Sequence, residues 1–432
     1  MRRALVAAVA VTGCLVVSCG TPAAGPAPGA SAGTGTETAG PRIPAASPAT
    51  PAASPTPSAT GARTPSAPTP SAPIPGTAAP TVSTPAPVRC ANLAAALSLR
   101  DRVGQLMMVA VSSDGVSSAA ATAIDQSRAG SVILLGNTTA GRARIAAVTE
   151  QARAAARTPK GIEPMLAADQ EGGQVQRLRG PGFDRIPSAQ EQARVSPAEL
   201  TRDAARWGRQ LKRAGIDAAL APVADVVPKD LREVNQPIGV LRRGYGSDPA
   251  EVATHVAAFV AGMYDAWIAT SVKHFPGLGR VRGNTDFAAR VVDARTTRDD
   301  AYLEPFAAGV DAGTDMVMMS SATYTRIDSK RRAAFSPTII QGMVRDDLSF
   351  TGVVISDDLA AAAMRDLRPG ERMVRFLRAG GDLAIVGDPD IAAAMARTVV
   401  AEADEDEDLR AQIDQAAIRV LQLKDRRGLA DC

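Results

Sequence analysis

Aromatic residues make up only 3% of the 432-residue chain, and histidine occurs twice. The core must therefore be built largely from Ala, Val, Leu, Ile and Met, and aromatic stripes carry little weight. The net charge of +3 is spread without basic blocks, which excludes nucleic acid as an attractive partner. The spacing of Asp, Glu and His contains no metal-binding motif. No Gly-rich turn follows the first strand-like run, which counts against a dinucleotide-binding doubly wound sheet.

Long apolar runs are also lacking. The opening MRRALVAAVAVTGCLVVSCG sets two arginines before an apolar stretch too short for a membrane span and closes it with small residues, the pattern of an export signal. Val16-Val17-Ser18-Cys19 resembles a lipobox, so residues 1–19 are expected to be a lipoprotein signal with Cys19 as the lipidated residue. Val11-Thr12-Gly13-Cys14 is a weaker fit. A lipid anchor would place the protein at the cell membrane, on its extracytoplasmic side. Residues 20–88 are nearly all Pro, Ala, Ser, Thr and Gly. They cannot bury enough surface to offset ordering entropy and are read as a disordered tether, spanning about 45 Å as a random coil.

Cysteine is scarce too, with four in the chain. If Cys19 is lipidated, Cys14 leaves with the signal, and only Cys90 and Cys432 bracket the folded region. In an oxidising compartment the expectation is a Cys90 to Cys432 disulfide.

From residue 90 to 432 short apolar runs alternate with segments of helical periodicity. The runs are 104–111, 131–135, 165–169, 218–226, 269–274, 315–320, 352–357 and 382–386. Helical stripes include Leu200, Ala204, Trp207 and Leu211, then Val252, Ala257, Phe259 and Met263, and finally Ile413, Ala417, Val420 and Leu421. Eight strand-then-helix units predict an α/β fold, a single (β/α)8 TIM-type barrel.

In such a barrel the C-terminal strand ends face the site. Three of these ends are dense in polar groups: Asp169-Gln170-Glu171 with Gln176 and Arg177, Lys273-His274, and Ser356-Asp357-Asp358. A carboxylate ending a buried strand is costly unless paired or used. Asp357 suits a nucleophile that attacks an anomeric carbon, with a second group about 5 Å away acting as acid, then base. Asp169 suits an acceptor for sugar hydroxyls, Asp358 a loop support, and His255, inside a helix, a structural role.

Together the motifs DQEGGQVQR (169–177), LAPVADV (220–226), RGYGSDP (243–249), KHFPGLG (273–279) and ISDDLAAAAM (355–364) resemble the glycoside hydrolase family 3 N-terminal domain. They are most similar to the single-domain NagZ-type β-N-acetylhexosaminidases, LpqI-like lipoproteins among them. The resemblance implies a retaining exo-β-N-acetylglucosaminidase that trims GlcNAc from peptidoglycan-derived muropeptides without metal or cofactor. It makes Asp357 the nucleophile and Asp169, Arg177, Arg243, Lys273 and His274 the residues that hold the sugar. It names no protein partner.

One segment departs from the family. Where NagZ-type enzymes carry Asp-x-His, with the histidine transferring the proton, this chain has Asn284-Thr285-Asp286. Three readings follow: Asp286 is itself the acid/base, another carboxyl group enters from elsewhere, or the domain binds sugar without efficient turnover. A carboxylate at that position would repel phosphate, so hydrolysis is expected rather than phosphorolysis. A β-glucosidase-like member of the wider family is a further alternative.

Overall fold

The computed structural model describes residues 86–432. The signal with Cys19 and residues 20–85 of the tether lie outside the described residues, and residues 86–88 belong to a helix, Ala86–Ala95.

Eight short parallel strands form one sheet: β1 (Met107–Ser112), β2 (Ser131–Leu135), β3 (Met165–Ala168), β4 (Ala218–Ala219), β5 (Ala269–Phe275), β6 (Met316–Met319), β7 (Val353–Ser356) and β8 (Ala384–Val386). Their order runs β7-β6-β5-β4-β3-β2-β1-β8, and a parallel bridge between Ile355 and Leu383 joins the two ends. The result is a nearly closed TIM-type barrel. Its strands are buried almost throughout, as expected where helices cover one face and the packed interior the other.

Helices follow the strands, among them Pro197–Lys212, Pro249–Asp265 and Glu407–Arg426. All four stripe residues of the first and last are buried, whereas Ala257 of the middle helix is only partly so. Lys424 fastens the last helix to the barrel floor, its ammonium donating to Gln105 Oε1, Gly130 O and Glu163 O at 2.6 to 2.9 Å. Nearby, Cys90 and Cys432 are disulfide-bonded, with Cα atoms 4.7 Å apart.

Two strand boundaries differ from expectation by more than two residues. Gly104 and Gln105 end a helix, Leu99–Gln105, because Ser98 Oγ accepts from the Asp101 amide and caps that segment. The 218–226 run keeps only Ala218 and Ala219 in the ladder. Pro222 has no amide hydrogen to donate, and pairing resumes only as a single bridge between Val223 and Lys273.

Candidate active site

A cavity of about 460 Å³ opens at the C-terminal ends of the strands. Ile133, Leu220, Met318 and Ile385 form its apolar floor, and Asp169, Arg177, Arg243, Lys273, His274, Asp286 and Asp357 all line it. Every site residue expected within the folded region, the cysteines apart, is thus brought to one place.

Adjacent side chains on a regular strand point to opposite faces, so Lys273 and His274 could not both reach the mouth from an ideal β5. The register shows how they do. Lys273 pairs with Met318 and Phe275 with Met319, leaving His274 as the extra residue of a bulge, with φ at 135°. Bulges of this kind re-aim side chains at functional rims, and the positive φ is strain held by the surrounding contacts.

Glu171 holds the polar centre together. Arg243 grips it bidentately, Nε and Nη2 each donating at 2.8 Å, and Lys273 Nζ lies 2.7 Å from its Oε1. Burial opposes ionisation, yet the Arg243 and Lys273 charges overcome it and hold the Glu171 carboxyl down at about 2. Lys273 also donates to Asp169 Oδ1 at 2.5 Å. The sequence placed Glu171 in a dense strand end without giving it a role. Asp169 drew attention because it ends the strand directly, and nothing in the local sequence shows that two cations from distant segments converge two residues on.

His274 is committed on both ring nitrogens. Nδ1 lies 2.6 Å from Asp225 Oδ2, and Nε2 lies 3.1 Å from Arg243 Nη2. A guanidinium only donates, so Nε2 must accept and Nδ1 must carry the proton. Burial and the Arg243 and Lys273 charges push the His274 pKa well below its ordinary value. The ring is therefore neutral, and it is orienting rather than proton-transferring. Asp225, buried in the LAPVADV motif, fixes the tautomer while its other oxygen accepts from the Leu278 amide at 2.6 Å. His255 is structural: its ring reaches the Glu251 and Val195 carbonyls and stacks on Tyr245.

Counting donors and acceptors shows what remains for a ligand. Asp169 Oδ2, Arg177 Nη2, one hydrogen on Lys273 Nζ and one on Arg243 Nη1 have no partner among the described residues. A carboxylate oxygen beside three cationic donors suits vicinal hydroxyls, which offer both a donor and an acceptor.

Asp357 follows β7 directly. Its Oδ1 accepts from the Asp358 amide at 2.9 Å, and Oδ2 has no hydrogen-bond partner among the described residues. Burial first, then the neighbouring charge of Asp286, pushes its carboxyl up to about 7. Asp358 Oδ1 accepts from the Ala360 and Gly387 amides at 2.8 Å and so tethers its loop to the start of the next unit.

Asp286 belongs to the long β5 loop, yet this stretch is pinned beside Asp357. The Ala362 amide donates to Asp286 O at 3.3 Å and the Ala363 amide to Thr285 O at 3.1 Å. Asn284 does not orient the Asp286 carboxyl. Its Oδ1 accepts from the Asp286 amide at 2.9 Å and shapes the turn instead. Burial and repulsion from Asp169 raise the Asp286 pKa, partly offset by Arg243, Lys273 and Arg177. Two carboxyls with raised affinity for protons, facing one cavity with a cationic sugar-sized frame beside them, define a glycoside hydrolase.

Comparison with known proteins gives the same class and narrows it. Residues 98–423 match the family described as the glycosyl hydrolase family 3 N terminal domain, and the chain belongs to that family. It is 46% identical to a β-N-acetylhexosaminidase from Beutenbergia cavernae of known structure, with a TM-score of 0.74 over 75% of this chain and 98% of that one. A β-hexosaminidase of Stenotrophomonas maltophilia strain K279a is 35% identical over 274 residues, 60% of this chain and 76% of the relative. The structure of M. tuberculosis LpqI aligns with a TM-score of 0.67 at 26% identity, over 78% of this chain and 96% of that one.

Proposed function

We propose that the protein is a retaining exo-β-N-acetylglucosaminidase that releases terminal β-linked GlcNAc from peptidoglycan-derived muropeptides. The observation that carries this reading is the pairing of Asp357 and Asp286 on one cavity, both with raised affinity for a proton and with the Asp286 charge raising that of Asp357. At intermediate pH the pair retains one proton between its two sites, and the first step proceeds from the microstate that carries it on Asp286.

With Asp286 protonated and Asp357 ionised, Asp357 Oδ2 attacks the anomeric carbon as the glycosidic bond breaks, and Asp286 gives its proton to the leaving oxygen. The sugar is then esterified to Asp357. Asp286, now ionised, takes a proton from water as that water attacks the same carbon, releasing GlcNAc with its β configuration retained and restoring both groups. Asp169, Arg177, Lys273 and Arg243 grip the non-reducing sugar through the valences left open, and the neutral His274 keeps the Arg243 fork in place. Hydrolysis is favoured over phosphorolysis because two carboxyls at the cavity would repel phosphate.

The lipobox-like Cys19 and the tether support a lipid anchor at the extracytoplasmic face of the membrane, from which the barrel would reach surrounding wall fragments. A non-catalytic muropeptide binder would have no use for the Asp357 and Asp286 pair. A β-glucosidase would turn over the glucoside faster than the N-acetylglucosaminide.

The full chain should release 4-nitrophenol from its N-acetyl-β-D-glucosaminide, and Asp357→Ala should not. A quenched reaction of Asp286→Ala with that activated substrate should add one N-acetylhexosaminyl mass to the peptide containing Asp357. Equal inertness of parent and Asp357→Ala, with GlcNAc binding intact, would leave the binder reading in its place. Palmitate labelling that is lost in Cys19→Ser tests the anchor.

A further inference from the structure

A larger cavity, about 790 Å³, lies at the opposite end of the barrel, where Trp267, Asp315 and Gly352 precede β5, β6 and β7. Tyr264 and Trp267 line it and are 60% and 63% exposed, although the chain contains only two Trp and four Tyr in all.

The backbone at Trp267 is the second observation. Three helix-to-strand turns share a pattern, Ala214-Gly215, Ala312-Gly313 and Ala379-Gly380, with the glycines at φ 79°, 87° and 100°. The turn into β5 reads Ala266-Trp267, and Trp267 takes the same left-handed conformation at φ 61°. That conformation costs a side chain free energy and glycine almost none. An exposed indole takes this conformation in a turn that lines the groove beside Tyr264, where the sibling turn lines it with Gly313 and the turn before β7 with the smaller Ser349 (φ 50°), and no core packing accounts for the indole.

The other groups in the groove narrow the occupant. Asp265, Asp315, Arg426 and Arg427 line it, two acids against two bases, and Arg427 Nη2 bonds Asp315 Oδ2 at 2.5 Å. This balance offers nothing to an anionic lipid surface, which polybasic clusters recognise. The Arg427 guanidinium lies over the Tyr264 ring, 5.5 Å from its centroid, so the stacking face is that of Trp267; flanked by amide and hydroxyl groups such as Gln422 and Thr351, it suits an uncharged saccharide, whose C–H face stacks on a ring while its hydroxyls meet polar groups at the edge.

We propose that this groove is a second, non-catalytic glycan-binding site, in which a pyranose ring of a neutral β-linked N-acetylhexosamine polymer lies on Trp267. It would hold the enzyme on a chain while the catalytic cavity, at the other end of the barrel, takes free sugar ends. Sedimentation of the full-length chain with insoluble chitin tests it. The parent should bind, and Trp267→Gly should raise the dissociation constant at least tenfold. Activity on 4-nitrophenyl N-acetyl-β-D-glucosaminide should stay within twofold of the parent, as should that of Tyr264→Ala. Because glycine is what the sibling turns carry, Trp267→Gly should melt no lower than the parent, so lost binding cannot be lost folding. The proposal is overturned if Trp267→Gly binds as the parent does, or if the parent binds phosphatidylcholine vesicles and not chitin. Chitin binding lost only in Asp169→Ala would also overturn it, assigning the polymer to the catalytic cavity and leaving the hydrolase reading untouched.

Discussion

Replacing Asp286 by Asn removes a proton donor and a negative charge while keeping the size of the side chain, so its two consequences can be separated. Positioned acid catalysis is worth about 10² to 10⁴ in rate, or about 3 to 5 kcal/mol of barrier. That loss should appear in full on methyl N-acetyl-β-D-glucosaminide, whose leaving methoxide needs the proton. It should be much smaller for bond cleavage in the 4-nitrophenyl substrate, whose leaving group is stable as an anion. The second consequence is electrostatic. Repulsion from Asp286 is the second cause, after burial, of the raised Asp357 pKa of about 7. That repulsion acts in the parent only once Asp286 has lost its proton, so Asp286→Asn should leave the acid limb of kcat/KM little changed, held by burial above the ordinary carboxylate range. The basic limb, where the carboxyl pair of the parent loses its last proton, should disappear. The measurement is kcat/KM against pH for both substrates in parent and variant. A variant that retains parental activity on the methyl glycoside, or whose basic limb is unchanged, excludes Asp286 as the acid.

Glu171→Gln should leave two buried cations without their shared carboxylate and destabilise the fold by about 3 to 5 kcal/mol, measured by urea unfolding. Because the folded-state pKa of Glu171 is depressed from 4.5 to about 2, its contribution of about 3 kcal/mol is fully present above pH 4.5 and is lost as pH falls towards 2. Parent and variant should therefore converge in stability across that window. Asp225→Asn, which can leave His274 in the wrong tautomer, should raise KM more than it lowers kcat, since the ring positions Arg243 and transfers no proton. Reducing the Cys90–Cys432 bridge, which spans a separation of 342 residues, should cost about 2 to 5 kcal/mol. Thermal melts with and without reductant, with Cys90→Ser as control, check this, and an unchanged midpoint would show that the helix contacts alone hold the termini.

Much of this protein is readable along the chain because its signals are local. Uninterrupted apolar runs such as Ser131–Leu135 and Val353–Ser356 announce strands buried on both faces, and the carboxylates that follow two such runs, Asp169 and Asp357, stand out because an unused charge there would be costly. The periodic stripe through Leu200, Ala204, Trp207 and Leu211 fixes a covering helix for the same reason. The run 218–226 misleads, since it is as apolar as the rest, but Pro222 interrupts the ladder and turns a nine-residue expectation into a two-residue strand. KHFPGLG displays the polar pair Lys273 and His274, yet period-two alternation forbids both from facing one way, and only the bulge at His274 reconciles them.

The sequence by itself determined the number of units, the strand ends that face the site and the identity of the carboxylate that follows β7, because each follows from hydrophobic period and position. Tertiary structure alone decided the charge state of those groups. Glu171 is held ionised by cations from two other segments, His274 is kept neutral by partners 31 and 49 residues away, and Asp286 reaches Asp357 because its loop backbone is bonded to residues 362 and 363. Protonation depends on dielectric and on charges within a few ångströms in space, and no local pattern along the chain contains those distances.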